Sequence, residues 1–120
     1  MKAIDQKHAF KQRVHQWAEK LDVNVVWLAV RPMRNKWASC STAGQLNFSD
    51  QLLGLDSKLQ DYVIVHELLH LHVPNHGKLW KSLMRAHLGE YEVYEAELKT
   101  LRWITEHPPT ARDRGTPTDC

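Results

Sequence analysis

The stretch YVIVHELLHLHVPNH spans residues 62–76 and holds four of the eight histidines of this 120-residue chain. Its first part carries the pattern His66-Glu67-x-x-His70 among apolar residues, which predicts a helix. Each residue advances about 100° around a helix, so the two histidines lie ~40° apart and one turn apart along the axis. Both imidazoles can therefore reach one ion, with the Glu67 carboxylate beside it.

A third ligand has to come from outside this helical face. His72 follows His70 by two positions, about 200° around a continuing helix, and is a poor candidate. His76 lies beyond Pro74, which breaks the helix, and Asn75 tolerates the left-handed backbone that lets the chain turn back. The H-x3-H-x5-H spacing is also that of the metzincin signature, although Val73 stands at its glycine position. We therefore predict metal ligation by His66, His70 and His76.

Three imidazoles and an open position are typical of catalytic zinc. Such an ion lowers the pKa of a bound water and polarises a carbonyl, so Glu67 is the expected general base of a hydrolase acting on peptide bonds. Buried core histidines are the alternative, but unpartnered ionisable groups on an apolar stripe cost about 1–3 kcal/mol each. A closed structural zinc is a further alternative, although such sites usually have four protein ligands including cysteine.

The flanking sequence predicts an α+β fold with a three-stranded sheet. Val23 to Val30 is rich in β-branched residues and reads as the central strand. A hairpin follows, with strands over 36–41 and 45–48 joined at Gly44, and the second of these is a candidate sheet edge for pairing with a peptide.

Helical patterns surround this sheet and extend along most of the chain. We expect the central helix to begin at Asp56 or Ser57 with Gln60 as a capping-box partner, and to continue to about His72. Further helices are predicted over about 5–21, 78–88 and 90–105.

One domain is expected over residues 1–105, followed by a disordered C-terminal tail over 106–120 that is polar and rich in proline. Hydrophobic residues make up 42% and charged residues 25%, as in a globular protein.

A net charge of +2 does not indicate any class of binding partner. The charged N-terminus lacks the apolar region of a signal peptide and no run is long enough to span a bilayer, so we expect a cytoplasmic protein with no membrane association.

Several segments together resemble the YgjP-like metallopeptidase family of zincins, relatives of the SprT-like proteins. The resemblance covers about residues 30–85 and rests on RNKWASCS (34–41), LNF (46–48), DYVIVHELLH (61–70), and NH followed by LW (75–80). It implies a minimal zincin-like fold, zinc bound by His66, His70 and His76, catalysis by Glu67, and a peptide or protein substrate. Ala38 and Gly77 depart from the family's usual glycine and serine.

Three alternatives remain open. Glu92 or Glu95 in the last helix could supply the third ligand, as in glutamate-type zincins. Basic and aromatic residues near the turn (Arg31, Arg34, Lys36 and Trp37) could belong to a DNA-associated module, since SprT-like relatives act at DNA. A metal-binding pseudoenzyme is the third possibility, although the intact Glu67 argues against it. Chemistry alone suggests Tyr91, Tyr94 and Arg34 as oxyanion stabilisers; the oligomeric state is not predicted.

Overall fold

The computed structural model describes residues 3–33, 36–41, 43–73 and 75–106. Within these ranges the chain forms four α-helices and one three-stranded sheet, which confirms the predicted α+β architecture. The helices are α1 (Ala3–Leu21), α2 (Ser57–Leu69), α3 (Lys78–Leu88) and α4 (Glu92–Glu106), the strands are β1 (Trp27–Arg31), β2 (Ala38–Cys40) and β3 (Gln45–Ser49), and a 3-10 helix spans Asp50–Gly54. The segment expected to be a disordered tail lies outside the described residues beyond Glu106.

The sheet order is β1-β3-β2, with β3 parallel to β1 and antiparallel to β2. The expectation that the first strand is central was therefore wrong, as was the suggestion that 45–48 forms an edge. The density of apolar residues around β1 led to this wrong prediction. Val26 and Trp27 are 63% and 50% exposed, so this segment is not covered on both faces. Leu46 and Phe48 of β3 are wholly buried, as suits a central strand.

The hairpin between β2 and β3 forms as predicted. Ser49 N–H donates to the Trp37 carbonyl at 2.8 Å and Ser41 N–H to the Gln45 carbonyl at 3.0 Å, which fixes the antiparallel register. Gly44 has φ +91°, and a Cβ there would lie 3.0 Å from Val26 Cγ2. Glycine is thus required both by the backbone conformation and by the close approach of β1.

Helix α2 is the central element of the fold. It packs against α1, α3, α4 and β2, and every residue from Tyr62 to Leu69 is buried. The expected capping box is absent: Asp56 is the N-cap without a side-chain cap hydrogen bond. Gln60 instead donates to the carbonyls of Leu52 and Leu55, at 2.8 and 3.2 Å. Gln60 therefore ties α2 to the preceding 3-10 helix rather than to its own first turn.

Helix α2 ends earlier than its expected end at about His72. The helix ends at Leu69, and tight turns follow in which Leu71 N–H donates to the Leu68 carbonyl and His72 N–H to the Leu69 carbonyl. Helix α3 ends at Leu88 as predicted, and its C-cap Gly89 has a φ of +68°, a conformation that favours glycine. No helix in the described part of the chain has the length and apolar character needed to cross a membrane.

Candidate metal centre

Three histidines from α2 and the following loop converge on one point. The ligand-capable atoms of His66, His70 and His76 lie within 4.8 Å of one another and form a group that could hold a metal ion. His76 Nε2 is 2.8 Å from His70 Nε2 and 3.3 Å from His66 Nε2. The structure therefore brings together the three histidines that the sequence singled out.

The hydrogen bonding of His70 defines which ring nitrogen faces this point. His70 Nδ1 is 3.2 Å from the Val73 carbonyl oxygen. A carbonyl can only accept, so Nδ1 carries the hydrogen and Nε2 of the neutral ring presents a lone pair. That is the tautomer a metal ligand requires, and a backbone group of the turn after α2 selects it.

His66 is held more deeply. Its side chain is 2% exposed, and its Nδ1 is 3.1 Å from the Tyr62 hydroxyl one turn earlier on α2. Burial, followed by the charges of His70 and His76, lowers the pKa of His66 well below its usual value. The ring is therefore neutral at physiological pH, as a metal ligand must be.

His76 differs from the other two because its side chain is exposed. It lies in the loop between α2 and α3, where Gly77 N–H donates to Asn75 Oδ1 at 2.9 Å. This side-chain turn encloses His76 just before α3 begins.

Aromatic rings enclose the three histidines on the protein side. The Trp80 ring lies 4.9 Å from His66 and 4.6 Å from His76, and stacks on His70 at 5.9 Å with an interplanar angle of 19°. Tyr91 packs edge-on against Trp80 at 5.9 Å and stacks on Tyr62 at 6.4 Å. This apolar enclosure restricts water and fixes the ring planes.

The donor set fits a zinc ion. Tetrahedral zinc binds imidazole nitrogen at about 2.0 Å, which places two such nitrogens about 3.3 Å apart. The His66–His76 separation of 3.3 Å matches this spacing. The His70–His76 separation of 2.8 Å is shorter and would have to widen by roughly half an ångström. Because His76 is exposed and lies in a loop, the widening requires no repacking of the core.

Glu67 lies next to His66 on α2 and is wholly buried. After burial, its charge is one of the causes that raise the pKa of Tyr62. Glu67 therefore follows His66 on the same helix, as the H-E-x-x-H pattern requires, and lies outside the group of described residues that could hold an ion.

The remaining candidates from the sequence occupy other positions. His72 is exposed, and its Nε2 lies 3.2 and 3.1 Å from the carbonyls of Leu21 and Asp22 at the end of α1. Glu92 pairs with Arg85, and among the described residues neither Glu92 nor Glu95 belongs to a potential metal-binding group. Burial, followed by the charge of Glu95, raises the pKa of Tyr62.

The structure gives little support to the DNA-associated module or to the oxyanion candidates. Trp37 is 3% exposed, so its ring is unavailable to a nucleic acid, and Arg31 bonds Asn47. Tyr91 is buried between Tyr62 and Trp80, and Tyr94 is half-buried. Arg34 lies outside the described residues. The sequence reading missed the contact of Tyr62 with His66, although spacing of four residues on a helix signals a shared face.

Solved structures of metallopeptidase zymogens resemble this fold. The metallopeptidase zymogen jannalysin of Methanocaldococcus jannaschii has a TM-score of 0.67 and 28% identity, covering 79% of this chain and 96% of that one. The zymogen abylysin of Pyrococcus abyssi has a TM-score of 0.65 at 20% identity, covering 77% and 93%, and shows the fold alone. The similarity to jannalysin confirms the expected minimal zincin-like fold.

Sequence comparison gives the family. An uncharacterised protein of Methanocaldococcus jannaschii is 29% identical over 107 residues, which are 85% of this chain and 97% of the relative. The family described as YgjP-like, metallopeptidase domain matches residues 3–101. Because this match extends over most of the chain, the protein belongs to the YgjP-like metallopeptidase family.

Proposed function

We propose that the protein is a zinc-dependent peptidase in which His66, His70 and His76 bind the ion and Glu67 is the general base. The observation that carries this proposal is the convergence of three imidazole nitrogens, and Glu67 is a buried neighbour of His66 in the chain. The tautomer of His70, selected by the Val73 carbonyl, supports the same reading because it directs a lone pair towards His76.

Bound zinc supplies a Lewis acid that polarises a carbonyl and lowers the pKa of water. Glu67 takes a proton from the attacking water and passes it to the leaving amine, so that a peptide bond is cleaved. Trp80 keeps the rings in place and excludes water on the protein side.

An extended peptide substrate would add to the sheet at β2 rather than at β3, since β3 is central and β2 is the outer strand that packs against α2. Trp37 and Ser41 direct their backbone groups towards β3. By the alternation of an antiparallel ladder, the backbone groups of Ala38 and Cys40 point away from β3, towards the side where a substrate would lie.

The test is metal analysis combined with cleavage of an unfolded protein. After reconstitution with zinc we expect one ion per chain in the parent and in His72→Ala, but a strong loss in His76→Ala. Cleavage should stop on chelation and return with added zinc. An equal loss of zinc in His72→Ala and His76→Ala would contradict the ligand assignment. Cleavage that persists under chelation would show that the activity comes from a contaminant.

A further inference from the structure

The innermost histidine contacts a tyrosine through the ring nitrogen that does not face the other histidines. His66 Nε2 lies 3.3 Å from His76 Nε2, whereas His66 Nδ1 lies 3.1 Å from the Tyr62 hydroxyl. Tyr62 precedes His66 by one turn of α2 and is 2% exposed. Its ring stacks on Tyr91, the residue before α4, with an interplanar angle of 13°. The packing of the ring therefore holds the hydroxyl in place beside His66.

The contact between Tyr62 and His66 has two possible hydrogen arrangements. A neutral imidazole carries one hydrogen, and a phenol oxygen can either donate or accept. If Tyr62 donates to Nδ1, the hydrogen of the His66 ring lies on Nε2, and this atom cannot bind a metal. If His66 Nδ1–H donates to the tyrosine oxygen, Nε2 presents a lone pair towards His76. The role of Tyr62 therefore depends on which arrangement the rest of the cluster allows.

The hydrogen bonds of the other two histidines select the second arrangement. The Val73 carbonyl keeps the hydrogen of His70 on Nδ1, so His70 Nε2 can only accept. His70 Nε2 and His76 Nε2 are 2.8 Å apart, and His76 Nε2–H must therefore be the donor between them. A ring nitrogen that carries a hydrogen has no lone pair to offer, so the contact of His76 with His66 requires an acceptor at His66 Nε2. The hydrogen of the neutral His66 ring consequently lies on Nδ1.

We propose that Tyr62 is a positioning residue that accepts the hydrogen bond of His66 Nδ1 and thereby keeps Nε2 available to the metal. This inference rests on the proposed function, in which His66 is a ligand. A ring that binds zinc through Nε2 keeps its hydrogen on Nδ1, so the same hydrogen bond serves the zinc-loaded protein. Tyr62 thus does for His66 what the Val73 carbonyl does for His70. Unlike a backbone carbonyl, the tyrosine hydroxyl can be removed by a substitution that keeps the ring.

The first test locates the hydrogen of His66 in metal-free protein, from long-range ¹H–¹⁵N spectra of labelled histidine. In the parent protein, His66 should carry it on Nδ1. Tyr62→Phe removes the acceptor, so the population should move towards the Nε2–H tautomer. Tyr94→Phe deletes the same group from a half-buried tyrosine of α4 and is the matched control, which should leave the His66 signals unchanged. An Nε2–H tautomer in the parent, or an unchanged tautomer in Tyr62→Phe, would overturn the proposal.

The second test is the sign of the change in zinc affinity, measured by competition with a chelator. Loss of an outer partner of a metal ligand typically weakens binding ~10- to 100-fold, and Tyr62→Phe should fall in this range. A tyrosine that donated to Nδ1 would instead oppose zinc, because it would favour the tautomer with the hydrogen on Nε2, and its removal would strengthen binding. Unchanged or tighter binding by Tyr62→Phe would therefore refute the proposal. Tyr94→Phe should bind zinc as the parent does.

Two measurements keep these outcomes separate from folding and from the proposed function. Thermal unfolding of the metal-free variants should show that each remains folded, since Tyr62→Phe keeps the buried ring. If Tyr62→Phe does not fold, the tautomer of His66 in the parent protein still decides the proposal. Failure of the parent to bind zinc would refute the proposed function, while the tautomer measured without metal still tests the role of Tyr62.

Discussion

The site is divided between two regions that are held in different ways. The helix half, His66, Glu67 and His70, lies on α2 with side chains no more than 7% exposed. The loop half, residues 71–77 apart from the undescribed Pro74, carries His76 in an exposed position. Packing of α2 against its neighbours orients the first group. The described part of the second is held by hydrogen bonds, which include those of Val73 with His70, of His72 with the end of α1, and of the side-chain turn at Asn75. The helix half should therefore be preorganised by folding, and the loop half completed by the ion.

The largest expected effect concerns chemistry within the helix half. Glu67→Gln should keep the shape of the side chain but remove its capacity to take a proton, so cleavage should fall ~10²- to 10⁴-fold. Zinc content should stay at the parent level because Glu67 is not in the ligand group. Turnover by the zinc-loaded variant at the parent rate would exclude Glu67 as the base.

Removing one ligand from each half should separate their structural contributions. His70→Ala and His76→Ala should both lose zinc. In metal-free protein only His70→Ala should lower the free energy of unfolding, by about 1–3 kcal/mol, because the Val73 carbonyl loses its buried donor. The exposed His76 should change it by less than about 0.5 kcal/mol. Urea denaturation in the presence of chelator measures the free energy of unfolding of each variant. Equal destabilisation by the two substitutions would contradict the difference between the helix half and the loop half.

A smaller effect is expected from the turn that orients the loop half. Asn75→Ala removes the acceptor of the Gly77 N–H. A hydrogen bond of about 0.5–1.5 kcal/mol corresponds to a loss in zinc affinity of about 2- to 10-fold, with little change in metal-free stability. Asn75→Asp retains an acceptor oxygen and is the matched control. A zinc affinity of Asn75→Ala equal to that of the parent would mean that the loop is held by other contacts.

The smallest effect should come from the histidine beside the site that faces away from it. His72 donates from Nε2 to carbonyls at the end of α1, so His72→Ala should lower the free energy of unfolding by about 0.5–1 kcal/mol. Zinc affinity should be unchanged, as it should be in His72→Gln, which can still donate. A drop in affinity would connect this anchor to the placement of the loop half.

Much of the helix half could be predicted because it depends on local geometry. The ~100° advance per residue places His66 and His70 on one face wherever the helix lies, and it separates them from His72. The turn at Gly44 was equally predictable, since glycine tolerates the positive φ that a short hairpin connection requires. The end of α2 was less predictable, because the chain leaves the helix in the turns after Leu69, before Pro74, where the helix was expected to stop.

Strand order and the partners of polar side chains could not be read from local patterns. The apolar run before Pro32 predicted a central strand, yet β3 takes that place because Leu46 and Phe48 face the core from between two neighbours. Gln60 had the right spacing for a capping box, but its side-chain amide donates to the carbonyls of Leu52 and Leu55, in and just after the preceding 3-10 helix. Both outcomes depend on which segments meet in space.

The sequence by itself determined the helical histidine pair, the adjacent glutamate and the glycine turn at Gly44, because each follows from backbone geometry over a few residues. Only the tertiary structure decided that His76 returns to the pair while, among the described residues, Glu92 and Glu95 stay outside the group that could hold an ion. The spacing of His76 and the acidic residues of α4 were both compatible with a third ligand. Folding separated them, because it brings His76 Nε2 to 2.8 and 3.3 Å from the Nε2 atoms of the pair, whereas Glu92 pairs with Arg85.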